Sequence, residues 1–492
     1  MPRKVRAKKG NAPVEFIRAE LVAKLKQYEL IEDCVEGDET IKAMGTKYLP
    51  QPNAEDVSKA NMVRYQAYIT RANFYNVTKR TLEGLSGQLF LRDPEVKVPS
   101  IMAKMAEDID GAGVSLFQQV KRAAQHVIGK GRAGLLVDYP TVAEPTSLAA
   151  LDAGEIRPTI SLYNPTDIIN WRTISRGART LLSLVVLRET YTENTNIFET
   201  DLKTQYRVLT LNEKGHYTVQ VYRNFEKGYK ATTAQIVTGA NGLPLTEIPF
   251  TFIGAVNNDS EVDEPPMYSI ASLNIAHYRN SADYEEACFM LGQPTPWFAG
   301  LTEQWVKKVL NGTVSLGSRA AIPLPVGASA GLLQVNPNTM PLEAMKLKEA
   351  QMISLGAKLI EEKAVQRTAT EVVSDDTSAN SVLATVAANL SQAYTWALKQ
   401  MALFVGTSDT ISFAVNRDFA FAKLTPEERR QLLAEWQGGA ITFTEMRTNL
   451  RRGGVASIPD EQAKSTILSE LSDIPGIAVN VDNNIRTPDN AA

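Results

Sequence analysis

The chain is poor in the residues from which stapled or metal-centred proteins are built. Among 492 residues there are 2 cysteines, Cys34 and Cys288, and 3 histidines, His126, His216 and His277. Two cysteines make no disulfide framework and fit a reducing compartment. No histidine stands at ligand spacing from another, which excludes a His/Cys zinc site. A surplus of positive charge is also missing. Lys and Arg number 52 against 55 Asp and Glu, a net charge of -3, with a pI near 5.9. A protein that grips nucleic acid statically shows a basic domain instead. Long hydrophobic runs are absent. The most apolar stretch, Leu181–Leu187, is far short of the ~18 residues that span a bilayer, so no membrane contact is expected. The basic start (Arg3, Lys4, Arg6, Lys8, Lys9) leads into no apolar core and is not read as a signal peptide. It reads as a solubilising arm or as a contact for nucleic acid or an acidic partner.

A catalytic constellation is lacking as well. Gly327-Ala328-Ser329-Ala330-Gly331 spells a nucleophile elbow, but that motif needs a strand running into a helix and a histidine later in the chain. The last histidine, His277, precedes Ser329, and Leu332–Val335 looks extended. A turn of small residues is the better reading. Gly129-Lys130-Gly131-Arg132-Ala133-Gly134 resembles a phosphate loop only in composition. A helix precedes these glycines and a strand follows, the reverse of the order that aims helix amides at phosphate. Asp375 and Asp376, with Glu371 upstream, are too few donors for a hard cation and read as solvated. The expectation is a non-enzyme without cofactor or metal.

What is present is a soluble balance, 44% hydrophobic and 22% charged, in a chain long enough for about three domains. Apolar periodicity predicts a helix over Val14–Leu30, a loop over Glu36–Asn53 and a long helical stretch over Asp56–Leu89 that loosens at Leu82–Gly87. Ser115–Ile128 reads as an amphipathic helix closed by Gly129 and Gly131, with a strand at Ala133–Asp138. Strands follow at Thr159–Leu162, Leu182–Thr190, Tyr206–Leu211 and Tyr217–Arg223, the last two joined by the turn Asn212–Gly215. Past Pro265-Pro266, Met267–Leu291 reads as one helix, about 37 Å long. A Gly/Pro-punctuated insert, Gln293–Met340, separates it from a second helix running from Pro341 to about Lys363. The longest helix is Ser378–Val405, with a strand at Thr410–Val415. Thr425-Pro426-Glu427-Glu428 and Thr442-Phe443-Thr444-Glu445 are capping boxes opening two helices. A third short helix is expected over Pro459–Leu471, and the tail beyond Ile474 reads as mobile.

Five stretches occur together in this order. They are Tyr65-x-x-Tyr68-x-x-Arg71-Ala72-x-Phe74-Tyr75-Asn76-x-Thr78, Gly131–Pro140, Tyr163-Asn164-Pro165-x-Asp167-Ile168-Ile169-Asn170-Trp171, Leu273–Arg279 with Ser281–Tyr284, and Arg367–Glu371. With the helix–insert–helix order, the chain from about Met62 to Gly454 resembles the portal proteins of tailed bacteriophages. It is most similar to the subfamily long catalogued as a phage domain of unknown function. The resemblance implies an α+β portal fold. Residues 1-13 would be a basic arm, 14-266 an α/β wing, 267-291 the first stem helix, 292-340 the clip and 341-363 the second stem helix. Residues 364-381 would be a tunnel loop, 382-424 the wing return, 425-474 a helical crown and 475-492 a flexible tail.

It further implies a homo-oligomeric ring of about twelve copies at one capsid vertex of the virion, built in the host bacterial cytoplasm. Double-stranded DNA would pass through it without sequence preference during packaging and ejection. The implied partners are the major capsid protein and scaffold, the terminase and the head-tail adaptor. Arg367, Glu371, Asp375 and Asp376 would then belong to the tunnel loop, and Glu285, Glu286, Lys346 and Glu349 are candidates for the stem lumen. Trp297, Trp305, Lys307 and Lys308 in the clip are candidate docking residues; local packing explains the tryptophans equally well. Two rival readings are another virion structural protein, such as a capsid or tail subunit, and a hydrolase built on Ser329.

Overall fold

The computed structural model describes residues 12–139, 157–194, 198–225, 228–239, 241–292, 295–309, 323–333, 339–359, 381–407, 410–417, 426–452, 455–456, 463–464, 466–467 and 469. The chain falls into two units, Met1–Arg417 and Asp418–Ala492.

In the first unit, helices α1 (Ala19–Glu36), α2 (Asp38–Ala43), α3 (Lys59–Arg71), α4 (Val77–Leu89), α5 (Ser100–Glu107) and α6 (Leu116–Lys130) come first, with strand β1 (Glu95–Lys97) between α4 and α5. Four expectations are corrected here. The first helix begins at Ala19 and not at Val14, because Arg18 N–H donates to Ile169 O at 3.1 Å while Val14 and Ile17 pack on Ile169, Val186, Tyr206 and Val208. Tertiary contacts thus outbid helix propensity. The stretch 56–89 is two helices, parted where the Asn76 side chain accepts from Lys79 N–H and caps α4. Leu82–Gly87 does not loosen: α4 stays helical to Leu89, with Leu82, Leu85, Ser86 and Leu89 buried. The expected loop over 36–53 also holds a helix, α2.

The α6 boundaries follow their signals. Ser115 and Gln118 form a capping box, and Gly131 closes the helix at φ 79°. Strands β2 (Arg132–Asp138), β3 (Thr159–Tyr163) and β10 (Phe250–Gly254) form an antiparallel sheet in the order β10-β2-β3. A larger antiparallel sheet holds β4 (Ile168–Arg176), β5 (Arg179–Asn194), β6 (Thr200–Leu211), β7 (Tyr217–Phe225) and β8 (Gly228–Ala231) in sequence order, with β9 (Gln235–Ile236) also on β7. The β6–β7 hairpin turns where expected, with Gly215 at φ 77°.

Helix α7 (Tyr268–Gly292) leads to β11 (Thr295–Ala299), α8 (Glu303–Lys308) and β12 (Ser329–Leu333), and α9 (Met340–Lys358) returns. Helix α10 (Val382–Val405) and strand β13 (Ser412–Ala414) complete the unit, β13 pairing with β1. The core lies where α6 and α10 meet the small sheet: Val120, Val127, Leu135, Val137, Val386, Leu390 and Tyr394 are all fully buried. Alanines 387, 393 and 397 on α10 let its backbone approach the strands. Each large apolar side chain so enclosed contributes about 1.5–3 kcal/mol.

The second unit, taken by itself, contains α11 (Pro426–Gln437) and α12 (Phe443–Arg452). The Thr442–Glu445 box is closed in both directions, at 2.7 and 3.2 Å. The Trp436 and Phe443 rings meet edge to face at 5.9 Å. The architecture is α+β, with antiparallel strands throughout the described residues.

Candidate functional site

Helices α7 and α9 form a hairpin whose far end is the β11–β12 ribbon. The register Thr295↔Leu333 through Ala299↔Ser329 brings the end of α7 beside the start of α9, so the helices run antiparallel. Burial divides α7 in two. Ile270, Ala271, Asn274, Ile275, His277, Tyr278, Ser281 and Ala282 are buried, while Cys288, Phe289 and Met290 are exposed. The helix is thus buried against the body as far as Ala282 and more exposed beyond it.

The root is held by two of the five stretches that carry the resemblance. Asn274 Oδ1 accepts from Thr78 N–H at 3.1 Å and from Thr78 Oγ1 at 2.9 Å, while its Nδ2 donates to Tyr75 O at 2.8 Å. Asn73 N–H donates to Ser281 Oγ at 2.9 Å, and Tyr68 OH to Asp283 Oδ1 at 2.6 Å. Burial and the Asp283 bond hold the Tyr68 phenol above its usual range. Arg71 pairs with Glu286 and lies 4.2 Å over the Phe289 ring. Phe74 meets Tyr278 edge to face at 6.0 Å. The sequence shows both stretches, but their mutual pairing was missed. Its signal is Asn274, His277 and Ser281, three polar residues on the apolar face of a helix.

Two further stretches explain themselves locally. At Gly131 a Cβ would stand 2.9 Å from Glu264 O, and at Gly134 it would stand 2.5 Å from Phe250 Cζ. Arg132, 2% exposed, lies 4.3 Å over Trp171 and 3.8 Å over Phe252 and donates to Ser260 O at 3.0 Å. Burial pulls its pKa down to about 10. Lys130 is buried against Glu32 and Asn164. These glycines therefore serve a helix end and a tight strand, as expected.

The stem candidates are dispersed. Glu286 is engaged by Arg71, and Glu349 Oε1 lies 3.1 Å from the buried His277 Nε2. Glu285 is half-buried and Lys346 exposed. In the ribbon, Trp297 covers Gly331, where a Cβ would come within 2.8 Å of the indole nitrogen. Trp305 Nε1 donates to Pro323 O at 3.3 Å, Lys307 pairs with Glu303 at 2.6 Å, and Lys308 is exposed. Both tryptophans thus have packing roles, although Trp297 stays 44% exposed. Ser329 opens β12, so a strand and not a helix follows it. Arg367, Glu371, Asp375 and Asp376 lie outside the described residues. Among the described residues no three His, Cys, Asp or Glu side chains gather as a metal site, and no helix is long and apolar enough to cross a membrane.

Residues 266–405 match the model of a domain of unknown function, DUF4055. No curated protein matches the chain. Among solved structures, a chain from the virion of the native gene transfer agent (GTA) particle is similar at 12% identity and a TM-score of 0.41. That alignment covers 78% of this chain and 90% of the other. A chain from the neck of the empty GTA particle, computed with C6 symmetry, gives 13% identity and a TM-score of 0.41 over 80% and 93%. One from the neck of the native particle, computed with C12 symmetry, gives 14% and 0.41 over 76% and 89%. Likeness at a TM-score of 0.41 is too slight to assign a role.

Proposed function

We propose that this chain is a virion structural protein and, within that class, a portal subunit. Copies would close into a ring at one capsid vertex through which double-stranded DNA is packaged and ejected. The observation that supports this reading is the hairpin: two long antiparallel helices, capped by a small ribbon and stitched at the base to a folded body. A shell or tube subunit has no use for such an element, and no catalysis is proposed.

The electrostatics agree with a conduit. Duplex DNA carries one charge per about 1.7 Å, and every neutralised phosphate adds affinity by counterion release. A ring turns each unpaired cation into a belt of cations, so a sliding duplex needs few of them. On α9, Glu343 and Glu349 offset Lys346 and Lys348, and Glu286 of α7 is neutralised by Arg71 of α3. In this reading Arg367, Glu371, Asp375 and Asp376 border the narrowest passage. Trp297, Trp305, Lys307 and Lys308 meet the terminase and later the adaptor, while capsid protein and scaffold surround the ring.

Native mass spectrometry with negative-stain imaging of the purified chain tests the proposal. Closed rings with a central hole, about twelve copies in size, are expected. Open tubes or shells would favour a capsid or tail subunit.

A further inference from the structure

Strand β10 is the last of its sheet, and its outer edge borders a cavity. Ala255 N–H donates to Gly131 O and Val137 N–H to Pro249 O, at 3.0 and 2.9 Å. In an antiparallel pair the inward-bonding residues alternate, so Phe250, Phe252 and Gly254 turn their amides and carbonyls outward. Gly254 is satisfied, donating to Asn258 Oδ1 at 3.3 Å and accepting from Asn389 Nδ2 at 2.8 Å. Phe250 N–H donates to Ile248 O at 2.8 Å, and Phe252 O accepts from the rotatable Thr251 hydroxyl at 3.2 Å. Among the described residues no partner remains for Phe252 N–H or Phe250 O. Both residues are 3% exposed, and a buried amide without a partner costs about 1–3 kcal/mol.

The cavity beside this edge is about 320 Å³, lined also by Leu181, Leu182, Asn258 and Trp396, with the Arg179–Glu247 ion pair and Asp259 at its wall. Trp396 is shared with a second cavity of about 400 Å³, lined by Ser391, Gln392, Thr395, Lys399 and Arg417. Lys399 and Arg417 are exposed, and among the described residues neither has an ion-pair partner. The strand edge thus lies in one cavity and the two cations in the other, Lys399 on α10 and Arg417 past β13, and Trp396 of α10 lines both.

We propose that this groove takes an extended, acidic segment of a partner protein. The segment would add to β10 as an outer strand, lay an apolar side chain on Trp396, and bring carboxylates to Lys399 and Arg417. Phe252 N–H and Phe250 O, one donor and one acceptor, call for a peptide backbone, and the unpaired cations for an acidic one. A duplex fits less well, because its phosphates can accept from Phe252 N–H but offer Phe250 O no donor. The proposal stands whether or not the chain forms rings.

The test uses the full chain and the synthetic peptide acetyl-Val-Thr-Val-Thr-Asp-Asp-amide, followed by calorimetry and hydrogen exchange. Saturable binding is expected, with slowed exchange in the segment holding Phe252. Alternate N-methylation of the peptide should abolish both. The double variant Lys399→Glu with Arg417→Glu should weaken binding about tenfold or more, and a Lys-Lys-ended peptide should restore it. Equal binding of the N-methylated peptide, or none at millimolar concentration, would overturn the proposal. So would slowed exchange at Phe252 with a DNA duplex in place of the peptide, which would assign the groove to nucleic acid.

Discussion

Replacing Asn274 with alanine should loosen the root of the hairpin. Asn274 is 0% exposed, as is Thr78, and its amide satisfies Thr78 N–H, Thr78 Oγ1 and Tyr75 O. The variant removes three hydrogen bonds and strands two backbone groups away from bulk solvent. At about 1 kcal/mol for each bond, the cost is about 3 kcal/mol. Water entering the space left by the amide would soften that figure without cancelling it. The assay is urea unfolding followed by circular dichroism, read as a lower midpoint at unchanged slope. Hydrogen exchange at Thr78 should accelerate in parallel. The control is Arg279→Lys, which loses only the 2.7 Å bond to Tyr48 O at an exposed position. A loss below about 1 kcal/mol for Asn274→Ala, with Thr78 exchange unchanged, would refute the idea that this amide fastens the helix.

The remaining predictions are briefer. Gly134→Ala should cost about 1–3 kcal/mol by overpacking, since the new methyl meets Phe250 at 2.5 Å and Ile168 at 2.7 Å. Gly129→Ala, with open space around it, should be neutral or stabilising by up to about 1 kcal/mol; thermal melts of the two variants decide. Burial holds the phenols of Tyr28, Tyr139, Tyr163, Tyr217 and Tyr394 above their ordinary range. They stay protonated in the fold while the unfolded chain releases their protons first, so stability falls as pH climbs past about 10. Arg132 pulls the other way, but alone. The last part of the tyrosinate absorbance should rise only with loss of circular dichroism, and ionisation of all 16 tyrosines without that loss would count against the burial. Deleting Val365–Ser381 should leave rings intact and block DNA packaging; normal packaging would remove these residues from the passage. Ser329→Ala should leave labelling by a serine-reactive probe unchanged at background, and a drop would revive the hydrolase.

Several helices were legible in this sequence from their caps, although the Asn76 cap between α3 and α4 and the Thr302 cap of α8 were not. Ser115 with Gln118, Thr442 with Glu445, and the stops at Gly131 and Gly406 all behave as local chemistry demands. Elements set by distant contacts were not. Strand β10 escaped notice because Phe250–Gly254 is buried on both faces and shows no alternation. Strand β4, buried at one end and exposed at the other, gave no clean period either. The start of α1 was misplaced because Val14–Arg18 is claimed by β-strands about 150 residues away. Of the candidate site, the helix–insert–helix order of the hairpin could be read in advance. The pairing of Thr78 with Asn274 could not, since polar residues on a helix face do not name their partners.

The uneven rooting of α7 makes it a lever. From Ser281, the last stitch to the body's backbone, to Gly292 is about 16 Å of helix, and the ribbon adds to that arm. A push on the ribbon reaches Asn274 and Thr78 as torque, not as compression. Helix α9 meets α7 at His277–Glu349 near the fulcrum, and Arg71 steadies the arm farther out at Glu286 and Phe289. Whatever docks on the ribbon can therefore be felt at the base of the hairpin, where α3, α4 and the body meet.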